Sequence, residues 1–212
     1  MELPKEIKTL HADLVFAFYE LDEYSQIFRE SEARIDLLNK VAPNFFAKLN
    51  YLFGISFIMT ISRFTDPEHQ LNYENISLEV LQKYQTDLNE VDQKTLTEKL
   101  STIKAEEKQV RKFRNKYLIH RDRVYALGKN DIGSIALNKI ENIYNLISDC
   151  LNIFNWHYTK QTVMYRGMRT NPGARSLLFY IKEGVIYSEL KARRKNSRLN
   201  EEERQLSKFK DG

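Results

Sequence analysis

The sequence predicts an all-α fold, an up-and-down helical bundle of about five main helices. Apolar residues recur at steps of three and four over long segments. Only seven glycines and four prolines punctuate 212 residues, and no run alternates apolar and polar positions for long enough to form a convincing strand. With 42% hydrophobic and 29% charged residues the chain has the composition of a folded protein, with enough length for one sizeable core. A single domain is the first reading, with two small domains left open.

Ile7, Leu10, Leu14, Phe18 and Leu21 predict an amphipathic helix running to about Glu30, with His11 at the edge of its stripe. A polar SEARID stretch follows. Pro43 suits the first turn of the next helix, which stops before Thr65-Asp66-Pro67 because proline disfavours helix at the residue before it. This helix holds the most apolar stretch, Leu49 to Ser62. At fourteen residues it falls short of the roughly 20 needed to span a bilayer, so it is expected to be the most buried helix, with no membrane association.

After a polar loop containing His69, Ser77 caps a short helix with Leu78, Leu81 and Tyr84 on one side. From about Asp92, the residues Leu96, Leu100, Ile103, Val110, Phe113 and Tyr117 predict a helix of roughly 40 Å. Ile140, Ile143, Ile147, Cys150, Phe154 and Tyr158 mark another, with His157 near its apolar edge. Thr170 or Asn171 caps a last helix that has Pro172 in its first turn and Gly184 as its stop. Residues 1–185 then form the helical domain and 186–212 a basic tail or short helix, with eight basic against five acidic residues.

The lone Cys150 excludes an intrachain disulfide and argues against a thiolate zinc site. The N-terminus lacks the pattern of a secretory signal and reads as mature sequence. A cytoplasmic location is expected. The net charge of +4 permits an anionic partner without demanding one.

The anomaly lies in FRNKYLIHRDR, residues 113–123. At 100° per residue Arg114 projects into the arc of Val110, Ile103 and Leu96. A buried guanidinium is costly unless paired, so it either meets a carboxylate or faces a groove that receives an anion. His120 follows near the helix end, where the helix dipole favours the imidazolium while Arg114, Arg121 and Arg123 oppose it.

Two alternative readings fail on neighbouring positions. IHRD imitates a protein-kinase catalytic loop, but Leu127 stands where that loop needs asparagine, and the other kinase motifs are absent. His120 and Asp122 lack further clustered ligands, and His11, His69 and His157 are scattered, so no metal site is expected.

Arg114-Asn115 on a long amphipathic helix, with His120 at its end before a polar loop, resembles the HEPN superfamily, whose ribonucleases carry an R-x(4–6)-H motif. RNKYLIH fits with five intervening residues. IMTISRFTDP and NPGARSLLFYIKEG resemble the abortive-infection U-type branch. The resemblance covers roughly residues 1 to 185.

The resemblance implies a metal-independent endoribonuclease without cofactor, in which a 2′-OH attacks the neighbouring phosphodiester to leave a 2′,3′-cyclic phosphate and a 5′-OH. It implies the role of an abortive-infection or toxin–antitoxin toxin, with a possible antitoxin. The chemistry needs a base, an acid and a cation, and His120, Arg114 and Asn115 supply one acid or base, the cation and an orienting amide. One histidine per chain cannot readily serve as both acid and base, so a homodimer with a composite site at its interface is expected. Lys112, Lys116, Arg121 and Arg123 are candidate phosphate contacts on the RNA, and Tyr117 a candidate stacking platform. HEPN proteins that accept nucleotides from a partner nucleotidyltransferase carry tyrosine two residues after the histidine, where this chain has Asp122. The competing reading is a non-catalytic RNA-binding, nucleotide-binding or protein-interaction module, in which Arg114 is a structural ion pair and His120 incidental.

Overall fold

The computed structural model describes residues 2–70, 72–119, 135–167 and 172–195, without the side chains of residues 117–119, 194 and 195. Helix dominates: α1 (Lys5–Phe28), α2 (Glu32–Val41), α3 (Pro43–Thr65), a 3-10 helix (Leu78–Asp87), α4 (Glu90–Phe113), which runs on as a π-helix (Arg114–Ile119), α5 (Leu137–Thr159) and α6 (Ala174–Lys195). Among the described residues the strands are β1 (His69–Gln70) and β2 (Tyr73–Glu74), an exposed antiparallel pair with His69 opposite Glu74. The all-α expectation is met.

The chain forms two compact units: Met1–Leu21 with Tyr51–Met168, and Asp22–Asn50 with Arg169–Gly212. In the first, the core takes Ile7, Leu10, Leu14 and Phe18 of α1, Phe57, Ile61 and Phe64 of α3, Leu96, Ile103 and Val110 of α4, and Ile143, Ile147, Leu151 and Phe154 of α5. Each such side chain contributes about 1.5–3 kcal/mol.

Local chemistry sets the helix ends. Asn89 starts α4, its side-chain oxygen accepting from the Asp92 amide at 3.0 Å, and Glu90 and Asp92 sit favourably at the positive end of the dipole. The helix therefore begins slightly earlier than Asp92. Ser77 accepts from the Glu79 amide, as expected of a cap, but the segment it opens is 3-10 rather than α. At the other end of α5, Lys160 adopts the left-handed conformation, and the chain turns into an extended stretch. Asn152 holds that stretch by donating to the Val163 carbonyl at 3.1 Å and accepting from its amide at 2.7 Å.

Tyr165 on this stretch stacks on His11 and Phe18 of α1, and its hydroxyl is hydrogen-bonded to His11 Nδ1. His11 is thus a core residue, and burial lowers its pKa from 6.5 to about 4.

The polar SEARID stretch opens a helix that its spacing does not mark: α2 starts at Glu32 and buries Leu38. Two local expectations are corrected. Gly184 does not stop the last helix, because α6 runs unbroken through it to Lys195. Nor is α3 the most buried helix. It is long and apolar enough to cross a membrane by length and composition, yet only 28% of its most apolar window is buried. Tyr51, Leu52 and Met59 are exposed on it, whereas the buried residues of α5 span nearly its whole length.

In the second unit, α6 begins against a carboxylate, with Glu23 Oε2 accepting from the Ala174 amide at 2.6 Å. Further along, Glu189 pairs with Lys40 of α2 at 2.6 Å. The proposed caps Thr170 and Asn171, and residues 196–212 of the tail, lie outside the described residues.

Candidate active site

The inner face of α4 changes from apolar to charged toward its end. Leu96, Ile103 and Val110 are buried, and so is Glu107; Arg111 and Arg114 follow Glu107 by one and two turns on the same face. Arg111 Nε donates to both oxygens of Glu107 at 3.1 and 2.9 Å. Its Nη2 donates to the Thr65 carbonyl at 2.8 Å and its Nη1 to Asp66 Oδ1 at 3.2 Å.

Asp66 is the centre of the arrangement. Arg114 Nη1 donates to both of its oxygens, at 2.8 and 3.0 Å, while Arg114 Nε donates to Asn115 Oδ1 at 3.0 Å. The side chain of Arg114 is only 11% exposed. Of the two outcomes open to a buried guanidinium, the ion pair is the one realised.

The carboxylate sits where an isolated helix would not favour it, just beyond the negative end of α3. Two guanidiniums offset that, and one of them also caps the last carbonyl of the helix. Pro67 follows and prevents continuation. The four charged groups, Glu107, Arg111, Asp66 and Arg114, sum to zero. Their attraction for an anion is therefore directional, through N–H groups, more than a long-range field.

The backbone changes at the same point. The Arg114 amide is shared between the carbonyls of Arg111 and Val110, and the π-helix starts there. Such wide turns break the α register and recur at functional sites. The uniform step of 100° therefore does not extend past Arg114. Beside the cluster, Phe64, Pro67, Leu78, Leu100 and Ile103 wall a cavity of about 280 Å³ that Arg111 and Glu107 also line.

The structure brings Arg114 and Asn115 together. Lys112 and Lys116 are exposed on the same stretch. His120, Arg121 and Arg123 lie outside the described residues, as does the side chain of Tyr117. Sequence reasoning missed Asp66, Arg111 and Glu107. The spacing of Glu107, Arg111 and Arg114 along one helical face was the available signal for two of them. Among the described residues no three His, Cys, Asp or Glu side chains group as metal ligands would.

An all-α chain whose long helix passes into Arg114-Asn115, with His120 following in sequence, is of the HEPN class. The model of the HEPN_AbiU2 family, described as AbiU2, matches residues 2–171, and the chain belongs to that family. This makes it an abortive-infection module of the nucleotide-binding, ribonuclease-like kind. No curated protein and no solved structure matches the chain.

Proposed function

We propose that the protein is a metal-independent endoribonuclease acting as the toxin of an abortive-infection or toxin–antitoxin system. The observation that carries this reading is the Arg114 guanidinium, braced at Nε and Nη1 at the head of the π-helix, with His120 six positions on in the sequence. A 2′-OH attack on the adjacent phosphodiester builds negative charge on the phosphorane oxygens. A fixed guanidinium stabilises that charge more in the transition state than in the ground state, which is the requirement for acceleration. Asn115 orients the guanidinium, and His120 moves the proton as base or acid.

The second proton transfer calls for a second imidazole, hence a second copy of the chain and a composite site. The exposed Tyr51, Leu52 and Met59 of α3 support self-association, since apolar helix surface left in water favours burial against a partner. The cellular setting is the cytoplasm, with RNA as substrate and an antitoxin as possible partner.

One observation favours a second reading, a non-catalytic helical module: Arg114 already has a carboxylate in the single chain. The two separate when wild type, Arg114→Ala and His120→Ala are incubated with RNA in EDTA and the new ends are mapped, with helicity and oligomeric state measured in parallel. The ribonuclease reading expects 2′,3′-cyclic phosphate ends from wild type alone. Undiminished cleavage by folded His120→Ala overturns it.

A further inference from the structure

An arginine contributes to a reaction only as well as its fork is aimed, and its side chain is flexible until several atoms are held. In Arg114 two atoms are held on different sides of the guanidinium: Nε by Asn115 and Nη1 by Asp66. Two anchor points fix the plane of the group and its rotation within that plane. Nη2 takes no part in this clamp, whose bonds run through Nε and Nη1.

Asp66 is itself fixed. It lies at the end of α3, its amide donating to the Ser62 carbonyl at 2.7 Å, and Arg111 ties its carboxylate to the Thr65 carbonyl and to Glu107. The anchor is thus set on two helices far apart in sequence. From this geometry we propose that Asp66 is a positioning residue for RNA cleavage, holding the Arg114 guanidinium with its Nη2 edge toward the scissile phosphate. The proposal rests on the ribonuclease reading above.

A carboxylate in this place has two opposed effects. It aims the guanidinium, which speeds turnover, and it cancels one positive charge beside a polyanion, which weakens RNA binding. Neutralising it at constant shape therefore lowers kcat without raising KM. A residue that merely holds the fold together would lower activity by lowering the amount of folded protein.

The test is steady-state cleavage of a single RNA by wild type, Asp66→Asn and Asp66→Glu. Thermal unfolding and the Arg114 Nε–H signal in proteins carrying isotope-labelled arginine are read on each. Asp66→Asn is expected to lose about 10–100-fold in kcat, the scale of a disturbed catalytic alignment. Its KM should be unchanged or lower, and its Arg114 Nε–H signal should shift. Asp66→Glu, which keeps the charge, should recover part of kcat and lose the gain in binding. A kcat for Asp66→Asn within about twofold of wild type overturns the proposal, as does a loss that follows the unfolded fraction with KM unaltered. Wild type that cleaves no RNA sinks the ribonuclease reading instead; the Nε–H signal then still reports on the clamp, and an unchanged signal in Asp66→Asn refutes it.

Discussion

Arg114 Nη1 donates to both carboxylate oxygens of Asp66, at 2.8 and 3.0 Å, and the same carboxylate accepts from Arg111 at 3.2 Å. Two cations sharing one anion are not equivalent when removed. Arg114→Ala leaves Asp66 paired with Arg111. Arg111→Ala strands buried Glu107 without its partner and uncovers the last carbonyl of α3. Arg111→Ala is therefore expected to destabilise the fold by about 2–4 kcal/mol and Arg114→Ala by less, as read from urea unfolding.

His11 makes stability depend on pH. Its imidazole takes up a proton near pH 6.5 in the unfolded chain but only near 4 in the fold, because burial disfavours the cation. Between those values the unfolded state holds more protons, so stability falls as pH falls through this window and is otherwise flat with respect to this group. At 1.36 kcal/mol per pKa unit the loss between pH 7 and pH 5 is about 2 kcal/mol. Comparing urea midpoints at the two values, wild type should drop by that much more than His11→Phe.

Gly184 stands inside α6, and a methyl group added there meets nothing within 4 Å. Gly184→Ala should raise stability by about 0.5–1 kcal/mol, because alanine gives up less backbone entropy on becoming helical. Thermal unfolding gives the value directly.

Lys112 is exposed two residues before the π-helix begins, on the stretch that carries Arg114. If it contacts phosphate, Lys112→Gln weakens binding to all RNA sequences alike and reduces the slope of log affinity against log salt by about 1. Titrations at several salt concentrations measure that slope.

The helices were legible wherever apolar residues repeat at helical spacing, since burial of Leu96, Ile103 and Val110 enforces the period read from the letters. The 3-10 segment also left a trace, as Leu78, Leu81 and Tyr84 fall at steps of three, the period of that helix. Other features were hidden for physical reasons. α2 buries only Leu38, too little to make a stripe, and the penalty of about 1 kcal/mol for a helical glycine is small enough for α6 to pass through Gly184. In the site, Arg114 announced itself as a misplaced charge, whereas Asp66, 48 positions away, is joined to it only by the packing of α3 on α4. The π-helix is a matter of backbone hydrogen bonding, which no side-chain spacing at this point reveals.

The central claim, cleavage by attack of the neighbouring 2′-OH, is tested most directly by one pair of synthetic substrates in EDTA. One is an RNA containing the mapped cleavage site; the other is identical except for a single 2′-deoxy sugar on the 5′ side of that bond. Wild type is predicted to cut the first and to leave the modified bond intact. Equal cutting of both would contradict the account.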